Sequence, residues 1–228
     1  MNQPSQVFRR PPTGGWIVIS GSLPTFGSES PQLAERLLER VDLSATPMCL
    51  SMGKIVSKDL RLFLDDVETL LDAPVALILV QNVTELEYEE VCATAGLILL
   101  TGGQAQDWIR ALGLSESYLR LERMLEESGL VLATGPAASA LGSWIITDIE
   151  EKPIPGLGWL HGAVVLPEVQ DPIAVPGVKR LISQHELSYA LGIPQGAILA
   201  LGPNGEVEVW GETPPVIALG RGWVADER

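Results

Sequence analysis

Short apolar runs alternate with segments of helical periodicity as far as Ala133. Five of these runs are apolar at nearly every position instead of every second one: Trp16–Ser20, Met48–Met52, Ala76–Val80, Gly96–Thr101 and Leu130–Ala133. Strands of this kind are buried on both faces, which is typical of a parallel sheet covered by helices. We therefore expect the α/β class, with a three-layer sandwich built on a mainly parallel, doubly wound sheet.

Between the runs lie segments whose apolar residues recur at the helical period. The clearest is Ser57–Leu71, in which Leu60, Phe63, Leu64 and Val67 share one face. Further helices are predicted over Pro31–Val41, Glu85–Thr94, Gln104–Leu112 and Ser117–Glu127. The short connections suit right-handed crossovers between neighbouring parallel strands.

Beyond Trp144 the chain becomes richer in Pro and Gly. Gly162–Leu166 is another apolar run, and Val178–Leu191 is predicted to be a helix. The end of the chain predicts a β-meander, with a hairpin turn at Asn204-Gly205, over Ala197–Leu201, Glu206–Trp210 and Val216–Leu219. No clear linker interrupts residues 14–228, so we expect a single domain there, preceded by a flexible arm at residues 1–13.

The net charge of −14 excludes several classes of partner. It repels nucleic-acid phosphates and anionic membrane surfaces, and no basic cluster offsets it. No apolar run reaches the roughly 18–20 residues that are needed to cross a bilayer. We therefore expect a cytoplasmic protein with neither nucleic-acid nor membrane partners.

The chain offers few metal ligands and few catalytic bases. It has two histidines, His161 and His185, which excludes a His-rich metal site. Its two cysteines, Cys49 and Cys92, lie in or beside apolar segments and are expected to be buried free thiols. The expectation is a protein without a metal or a cofactor.

The stretch Ser128–Gly142 predicts a buried strand, a sharp turn and a helix of small residues. In many α/β hydrolases such a turn carries the nucleophile, because it lifts one side chain above the sheet beside helix N-terminal amides. At the position expected for the nucleophile the chain has Pro136, which offers neither a reactive side chain nor an N–H group.

A second strand-to-helix turn contains Gly102, Gly103 and Gln104. Glycines there allow a ligand to approach the backbone closely, although the same residues also suit a plain tight turn. Ligands of open α/β sheets bind at the carboxyl ends of the strands. These three residues and Gly135 are therefore candidates for lining a ligand cleft.

The order of these features resembles the serine-peptidase family of cyanophycinase and alpha-aspartyl dipeptidase, the peptidase E-like proteins of the class I glutamine amidotransferase-like fold. Ala95–Gln104 is similar to the family's strand and Gly-Gly turn, and Gly129–Gly142 to its Gly-Thr-Ser-Ala-Gly elbow. Gly156–Leu160 followed by Val164–Pro167 resembles the segment that carries its histidine, and Leu191–Ile193 resembles its C-terminal end. The resemblance implies a flavodoxin-like sheet with a C-terminal β-hairpin.

The departures from this family pattern fall on the catalytic positions. The serine of the elbow corresponds to Pro136, or to Ala137 if the alignment slips by one residue, and the histidine corresponds to Glu168. A hydroxyl without a positioned base is a poor nucleophile, so the loss of either element removes most of the rate. The resemblance therefore implies a catalytically inactive homologue that acts as a binding, scaffold or assembly module.

Two other functions remain open. A hydrolase of aspartyl peptides or related amides could use a relocated nucleophile, Ser139 or Thr134, with His161 or Glu168 as its base. A small-ligand protein could bind a small peptide or an acidic ligand at the carboxyl edge of the sheet. The apolar, Trp-containing composition also suits a homodimer or another homo-oligomer, without locating its interface.

Overall fold

The structure, a computed structural model, describes Phe8 and residues 14–26, 31–80, 95–113, 116–147, 152–185 and 188–221. The strands in this part of the chain are β1 (Trp16–Ser20), β2 (Met48–Ser51), β3 (Ala76–Leu79), β4 (Leu97–Thr101), β5 (Leu130–Thr134), β6 (Gly142–Ile145), β7 (Ile154–Pro155), β8 (Leu160–Pro167), β9 (Tyr189–Ile193), β10 (Ile198–Leu201), β11 (Val207–Val209) and β12 (Val216–Leu219). The helices are α1 (Pro31–Arg40), α2 (Lys58–Leu71), α3 (Ala105–Leu112), α4 (Glu116–Glu126), α5 (Pro136–Ala140) and α6 (Val178–Gln184). Short 3-10 turns cover Pro172–Ala174 and Pro203–Gly205.

The larger of two sheets has seven strands in the order β11-β10-β1-β5-β4-β2-β3. The five apolar runs of the N-terminal half form its parallel part, β1 to β5, as predicted. Strands β10 and β11 extend this sheet in antiparallel orientation, with the turn Pro203–Gly205 between them. The chain is thus an α/β protein with mixed sheets.

Helices cover both faces of the larger sheet, and β4 shows how. Its residues Leu97 and Leu99 belong to a buried cluster with apolar residues of α1 and α2. Ile98 and Leu100, which point the other way, belong to a second cluster with residues of α3, α4 and α5. Burial on both faces explains why these strands are apolar throughout.

The boundaries of α2 follow from its sequence. The Ser57 hydroxyl accepts a hydrogen bond from the backbone N–H of Leu60 at 3.1 Å and caps the first turn. The helix ends at Asp72, whose φ of 50° is left-handed. The predicted apolar face is the buried one, which confirms the prediction for this segment.

A cluster of aromatic rings around Arg40 joins α1 to the antiparallel end of the larger sheet. The guanidinium lies 4.6 Å from the ring centre of Trp16 and 5.5 Å from that of Trp210. It donates to Glu208 at 2.8 Å, and the Trp210 indole donates to the other oxygen of the same carboxylate at 2.7 Å. The Arg40 side chain therefore links α1 to Glu208, which lies 168 positions later in the chain.

The smaller sheet has five strands in the order β12-β9-β8-β6-β7. Strands β6, β8 and β9 are parallel, and β7 and β12 are antiparallel edges. Tyr189 and Leu191 of β9 lie in the same buried cluster as α3 and α5. Neither this second sheet nor its strands β6 and β7 are predicted from the sequence.

The helix predicted over Val178–Leu191 is wrong in its second half. Helix α6 stops at Gln184, and β9 begins at Tyr189. The Ser188 hydroxyl donates to the His185 carbonyl at 2.7 Å in the turn between them. Every residue of β9 is buried, so its apolar run carries no period that separates a central strand from a helix.

The predicted C-terminal meander is also wrong in its last strand. Strand β12 pairs with β9 of the smaller sheet and not with β11. Pro214 and Pro215 precede β12, and a residue without an N–H group cannot continue a ladder of hydrogen bonds. The chain therefore leaves one sheet at these prolines and joins the other.

Some of the predictions concern residues that lie outside the described ranges. The predicted helix Glu85–Thr94 and Cys92 lie outside the described residues, as does the arm of residues 1–13 apart from Phe8. The Phe8 ring meets Tyr189 edge-on, with the ring centres 5.8 Å apart. No helix in the described ranges is long and apolar enough to cross a membrane.

Candidate functional site

Four neighbouring parallel strands end in a buried hydroxyl side chain at the same edge of the larger sheet. In sheet order these residues, which we call the hydroxyl row, are Ser20 of β1, Thr134 of β5, Thr101 of β4 and Ser51 of β2. Ser20 lies opposite Thr134, and Ser51 opposite Thr101. The row was not predicted, although a Ser or Thr stands at the last position of each of these four runs or directly beside it.

The two central members of the hydroxyl row contact each other. The Thr134 hydroxyl donates to Thr101 Oγ1 at 3.0 Å and lies 3.4 Å from the Leu100 carbonyl. Both threonines are buried, with 4% and 6% of their surface exposed. The Thr134 hydroxyl is thus bonded to the neighbouring strand β4 and has no base among the hydrogen-bond partners that the structure describes.

The turn after β5 has the geometry of a nucleophile elbow, and its central residue is Gly135. Gly135 has φ 53° and ψ −127°, and α5 begins at the next residue, Pro136. This is the sharp, strained strand-to-helix turn on which hydrolases hold a nucleophile. The sequence predicts Pro136 or Ala137 at that position, whereas these two residues lie one and two positions later, inside α5.

This change of residue removes two groups instead of one. Gly135 has no side chain that could attack a substrate. The residue after an elbow nucleophile ordinarily donates its N–H to the oxyanion, and here that residue is Pro136, which has none. The turn therefore keeps its shape without offering a nucleophile or this oxyanion donor.

The glycine turn after β4 lies beside this elbow. Gly102 and Gly103 both have left-handed φ angles, 76° and 68°. The buried indole of Trp108 donates to the Gly102 carbonyl at 2.9 Å, and the Gln104 N–H donates to Asp107 at 3.2 Å at the start of α3. The first turn of α3 thus holds the backbone of the glycine turn in place.

A cavity of about 750 Å³ opens at this edge of the sheet. Its lining includes all four predicted cleft residues, Gly102, Gly103, Gln104 and Gly135. Polar side chains of the lining are Ser22, Thr101, Gln104, Gln106, Thr134, Ser139, Thr147 and Glu168. A cavity of this size accommodates a ligand of drug-like or dipeptide dimensions.

Glu168 is the one charged residue among the described residues of this lining. It follows β8 with a left-handed φ of 59°, and its N–H donates to the Ile193 carbonyl at 2.7 Å. The exposed carboxylate sits where the family resemblance expects a histidine. A second, smaller cavity of about 380 Å³ shares Ser22 and Leu23 with the first and is lined by another carboxylate, Glu212.

The structure brings together only some of the residues that the alternative hydrolase would use. Ser139 and Thr134 line the same cavity as Glu168. His161 does not, because it is exposed near the amino end of β8, seven residues and about 23 Å along an extended strand from Glu168. The other histidine, His185, stacks on Trp144 with the ring centres 4.5 Å apart, and it too is absent from the lining.

The described residues show neither a reactive thiol at Cys49 nor a group of side chains that could bind a metal ion. Cys49 is fully buried in β2, as predicted, and burial raises the pKa of its thiol to about 12. No three His, Cys, Asp or Glu side chains of the described ranges are grouped closely enough to hold a metal ion.

Comparison with known proteins identifies the fold. Neither a protein-family model nor a curated protein matches the chain. A peptidase from an acI-B1 Actinobacterium matches with a TM-score of 0.63 at 14% identity, over 92% of this chain and 97% of its own. A candidate peptidase E protein from Listeria monocytogenes EGD-e matches with a TM-score of 0.61 at 11% identity, over 87% of this chain and 99% of its own. The chain therefore has a peptidase E-like α/β fold.

Proposed function

We propose that the protein is a catalytically inactive relative of the peptidase E-like serine peptidases and that it binds a small ligand in the cleft at the elbow. The observation that carries this proposal is the pair Gly135–Pro136, which occupies the elbow without a nucleophile and without the following N–H. An acyl-transfer site needs both of these groups in place before its chemistry begins.

The absence of a suitable base in the cleft supports the same conclusion. General-base catalysis by an imidazole needs a histidine within hydrogen-bond reach of the attacking group. The part of the cavity lining that the structure describes includes neither His161 nor His185. At the position where the resemblance expects the histidine, Glu168 places an exposed carboxylate instead of an imidazole.

The retained cavity supports binding. Hydroxyl and amide side chains around a pocket supply both donors and acceptors, and such groups orient a ligand in the apolar surroundings of Leu23, Ile145 and Ile146. The charged lining residues of both cavities, Glu168 and Glu212, are carboxylates. This charge favours a neutral or cationic ligand over the acidic ligand that the sequence analysis considered.

The catalytic half of the proposal is tested with aspartyl substrates. The purified protein is incubated with alpha-aspartyl dipeptides, beta-aspartyl dipeptides and cyanophycin, and released amino groups are quantified. We expect no release above the buffer blank. Serine-type turnover that is removed by a serine-directed inhibitor would overturn the proposal.

The binding half is tested by thermal shift with neutral, cationic and acidic dipeptides of similar size. We expect a rise of several degrees for neutral or cationic members at about 100 times their Kd. Glu168→Gln should weaken binding of the cationic members alone, and Glu127→Gln, an exposed glutamate outside the lining, is the matched control.

The alternative hydrolase is favoured by one observation, the presence of Ser139 and Glu168 in the same cavity. In that case Ser139 would act as nucleophile and Glu168 as base. Any activity found above should then disappear in Ser139→Ala and persist in Thr134→Val, because the Thr134 hydroxyl already donates to Thr101. Activity that survives Ser139→Ala would exclude this alternative.

The proposal also covers the layers of the fold and the extent of the domain. We infer that α1 and α2, the larger sheet, and α3 to α5 are the three layers of a class I glutamine amidotransferase-like sandwich, with β10 and β11 as its C-terminal hairpin. Residues 14–228 would form one domain of a cytoplasmic protein.

A further inference from the structure

Two cavities meet at the loop that follows β1. Ser22 and Leu23 of this loop line both the larger cavity, of about 750 Å³, and the smaller one, of about 380 Å³. From this loop the larger cavity extends to the elbow and the glycine turn. The smaller cavity extends to the turn between β9 and β10 and to Glu212 and Thr213. A ligand that crosses Ser22 and Leu23 can therefore reach both cavities.

Backbone contacts fix the loop between the two cavities. A Cβ at Gly21 would come within 2.4 Å of the Ile193 carbonyl oxygen and 3.1 Å of the Glu168 nitrogen, so the loop approaches this closely only because the residue is glycine. In the wall of the smaller cavity, the Thr213 N–H donates to the Gly196 carbonyl at 3.5 Å. The packing of the main chain thus sets the position of the two cavities relative to each other.

Each cavity has a single carboxylate among the described residues of its lining, Glu168 in the larger cavity and Glu212 in the smaller one. Both glutamates are exposed, and the described parts of the two linings contain no Lys, Arg or His. Among the described ranges, neither carboxylate takes part in a salt bridge. The net charge of −14 adds to the attraction of both positions for cations.

The loop shared by the two cavities is apolar at its centre. Leu23 is half-buried against the core cluster that includes residues of α1 and α2, and Pro24 beside it is buried. Polar side chains flank this centre, among them Ser22, Gln195 and Thr213. An ammonium group has three N–H donors, so a carboxylate together with a neighbouring hydroxyl or amide can satisfy it. Two carboxylates with apolar surface between them match a ligand in which an aliphatic chain joins two ammonium groups.

We propose that the two cavities form one binding site for a linear dication, with one ammonium group at Glu168, the other at Glu212 and the aliphatic chain over Leu23. This inference rests on the proposed function, because it extends the ligand-binding cleft and narrows the class of its ligand. A ligand with one charge uses one carboxylate, and an ion pair at an exposed position contributes little to binding. A dication engages the second carboxylate as an intramolecular event, which strengthens binding beyond either ion pair alone.

The test is a calorimetric titration of the full chain at low ionic strength. The probes are diaminobutane, diaminohexane and diaminooctane, with hexylamine as the ligand of one charge. We expect at least one diamine to bind about tenfold more tightly than hexylamine. The preference should shrink at high salt, because the charges are exposed and salt screens them.

Two matched variants assign the second ammonium group to its carboxylate. Glu212→Gln should abolish the preference for the diamine and leave the Kd of hexylamine almost unchanged, since hexylamine still has Glu168. Glu206→Gln is the control, because Glu206 is exposed and is absent from the described lining of both cavities, and it should keep the full preference.

The dication has two possible sources, a free diamine or a peptide. Lysyl-glycine distinguishes them, since an aliphatic chain also joins its α- and ε-ammonium groups. Tighter binding of lysyl-glycine than of every diamine supports the proposal with a peptide as the source, and the reverse order supports it with a free diamine. In both cases Glu212→Gln must remove the advantage over hexylamine.

The proposal is overturned if no dication binds more tightly than hexylamine, or if Glu212→Gln keeps the preference. The proposed function fails separately. If hexylamine binding is weakened by Glu168→Gln while Glu212→Gln changes nothing, the larger cavity is still a ligand-binding cleft and only its extension to the smaller cavity is wrong. If none of the amines and none of the dipeptides binds, ligand binding in the cleft is wrong as well.

Discussion

The indole Nε1 of Trp108 donates to the carbonyl oxygen of Gly102 at 2.9 Å, and this bond ties the glycine turn of the cleft to the core. Trp108 is fully buried in α3, whereas Gly102 lines the cavity. The position of the cleft backbone therefore depends on a residue that is not part of the cavity lining.

Trp108→Phe should disturb the cleft as well as the core. The variant loses the hydrogen bond and leaves unfilled volume, which together cost about 1–3 kcal/mol of unfolding free energy. We also expect weaker binding of cleft ligands, measured by titration calorimetry at a temperature where the variant is folded. Leu112→Ala, a buried change in the same helix, should lower stability without changing affinity, and equal loss of affinity in both would contradict the role of this bond.

Thr134→Val should destabilise the protein by about 1 kcal/mol, because it removes a buried donor and leaves the Thr101 hydroxyl with one partner fewer. Urea denaturation measures this change. The exposed substitution Thr46→Val is the control and should have almost no effect. In a double-mutant cycle with Thr101→Val the two losses should be non-additive, and additive losses would show that the hydroxyls do not act together.

Gly135→Ser should fold and remain inactive. A Cβ at this position would come no closer than 3.7 Å to Gly21 O, so a side chain fits, but its backbone conformation costs about 1–3 kcal/mol in a residue other than glycine. The new hydroxyl would still lack an imidazole base and the N–H of the next residue. Gly158→Ser, at another left-handed glycine with free space around it, controls for the backbone cost, and hydrolysis of aspartyl dipeptides by Gly135→Ser would contradict our account of the elbow.

Arg40→Met should lower the unfolding free energy by about 1–3 kcal/mol. It removes the cation between Trp16 and Trp210 and leaves the Glu208 carboxylate, whose side chain is 29% exposed, without its partner at 2.8 Å. Arg36→Met is the control, since that side chain is 40% exposed and lies 3.9 Å from Glu208, and it should cost no more than about 0.5 kcal/mol.

Cys49 should resist alkylation in the folded protein. Burial raises the pKa of its thiol to about 12, so the reactive thiolate is scarce at pH 8. Peptide mapping after treatment with iodoacetamide should find Cys49 modified only in denaturant. The unfolded thiol ionises near pH 8.5, so stability should fall as the pH rises from there towards 12, and Cys49→Ala should flatten that part of the pH profile.

The parallel half of the fold could be predicted because its five strands and the helix α2 each carry a local signal. The failures arose where local sequence is ambiguous. The apolar run of β9 suits a central strand and a buried helix equally well. Which sheet β12 joins depends on Pro214 and Pro215, which interrupt hydrogen bonding to β11, and the sequence does not show which strands pair.

At the site, too, residues with a clear signal in the sequence were predicted and ambiguous ones were not. The glycine turns were found because each follows an apolar run, and Glu168 was found through the family resemblance. The structure places all of them around one cavity. The sequence predicts the elbow at Pro136 or Ala137, since proline and glycine both suit a strand-to-helix turn, whereas the φ and ψ of Gly135 favour that residue. His161 was considered as a base because the chain has only two histidines, and the sequence does not show that it lies near the amino end of β8, away from the cleft.

Strand β1 opens the chain's fold and yet lies between β5 and β10, whose residues are made more than 100 and 180 positions later. During synthesis one edge of β1 stays unpaired until β5 has been made, and the other edge stays unpaired until β10 in the C-terminal quarter has been made. Pairing over such separations slows folding and leaves apolar strands exposed to wrong partners. A chain that stops before β10 would present β1 as a bare apolar edge, so truncation from the C-terminal end should produce aggregates and not a smaller folded domain.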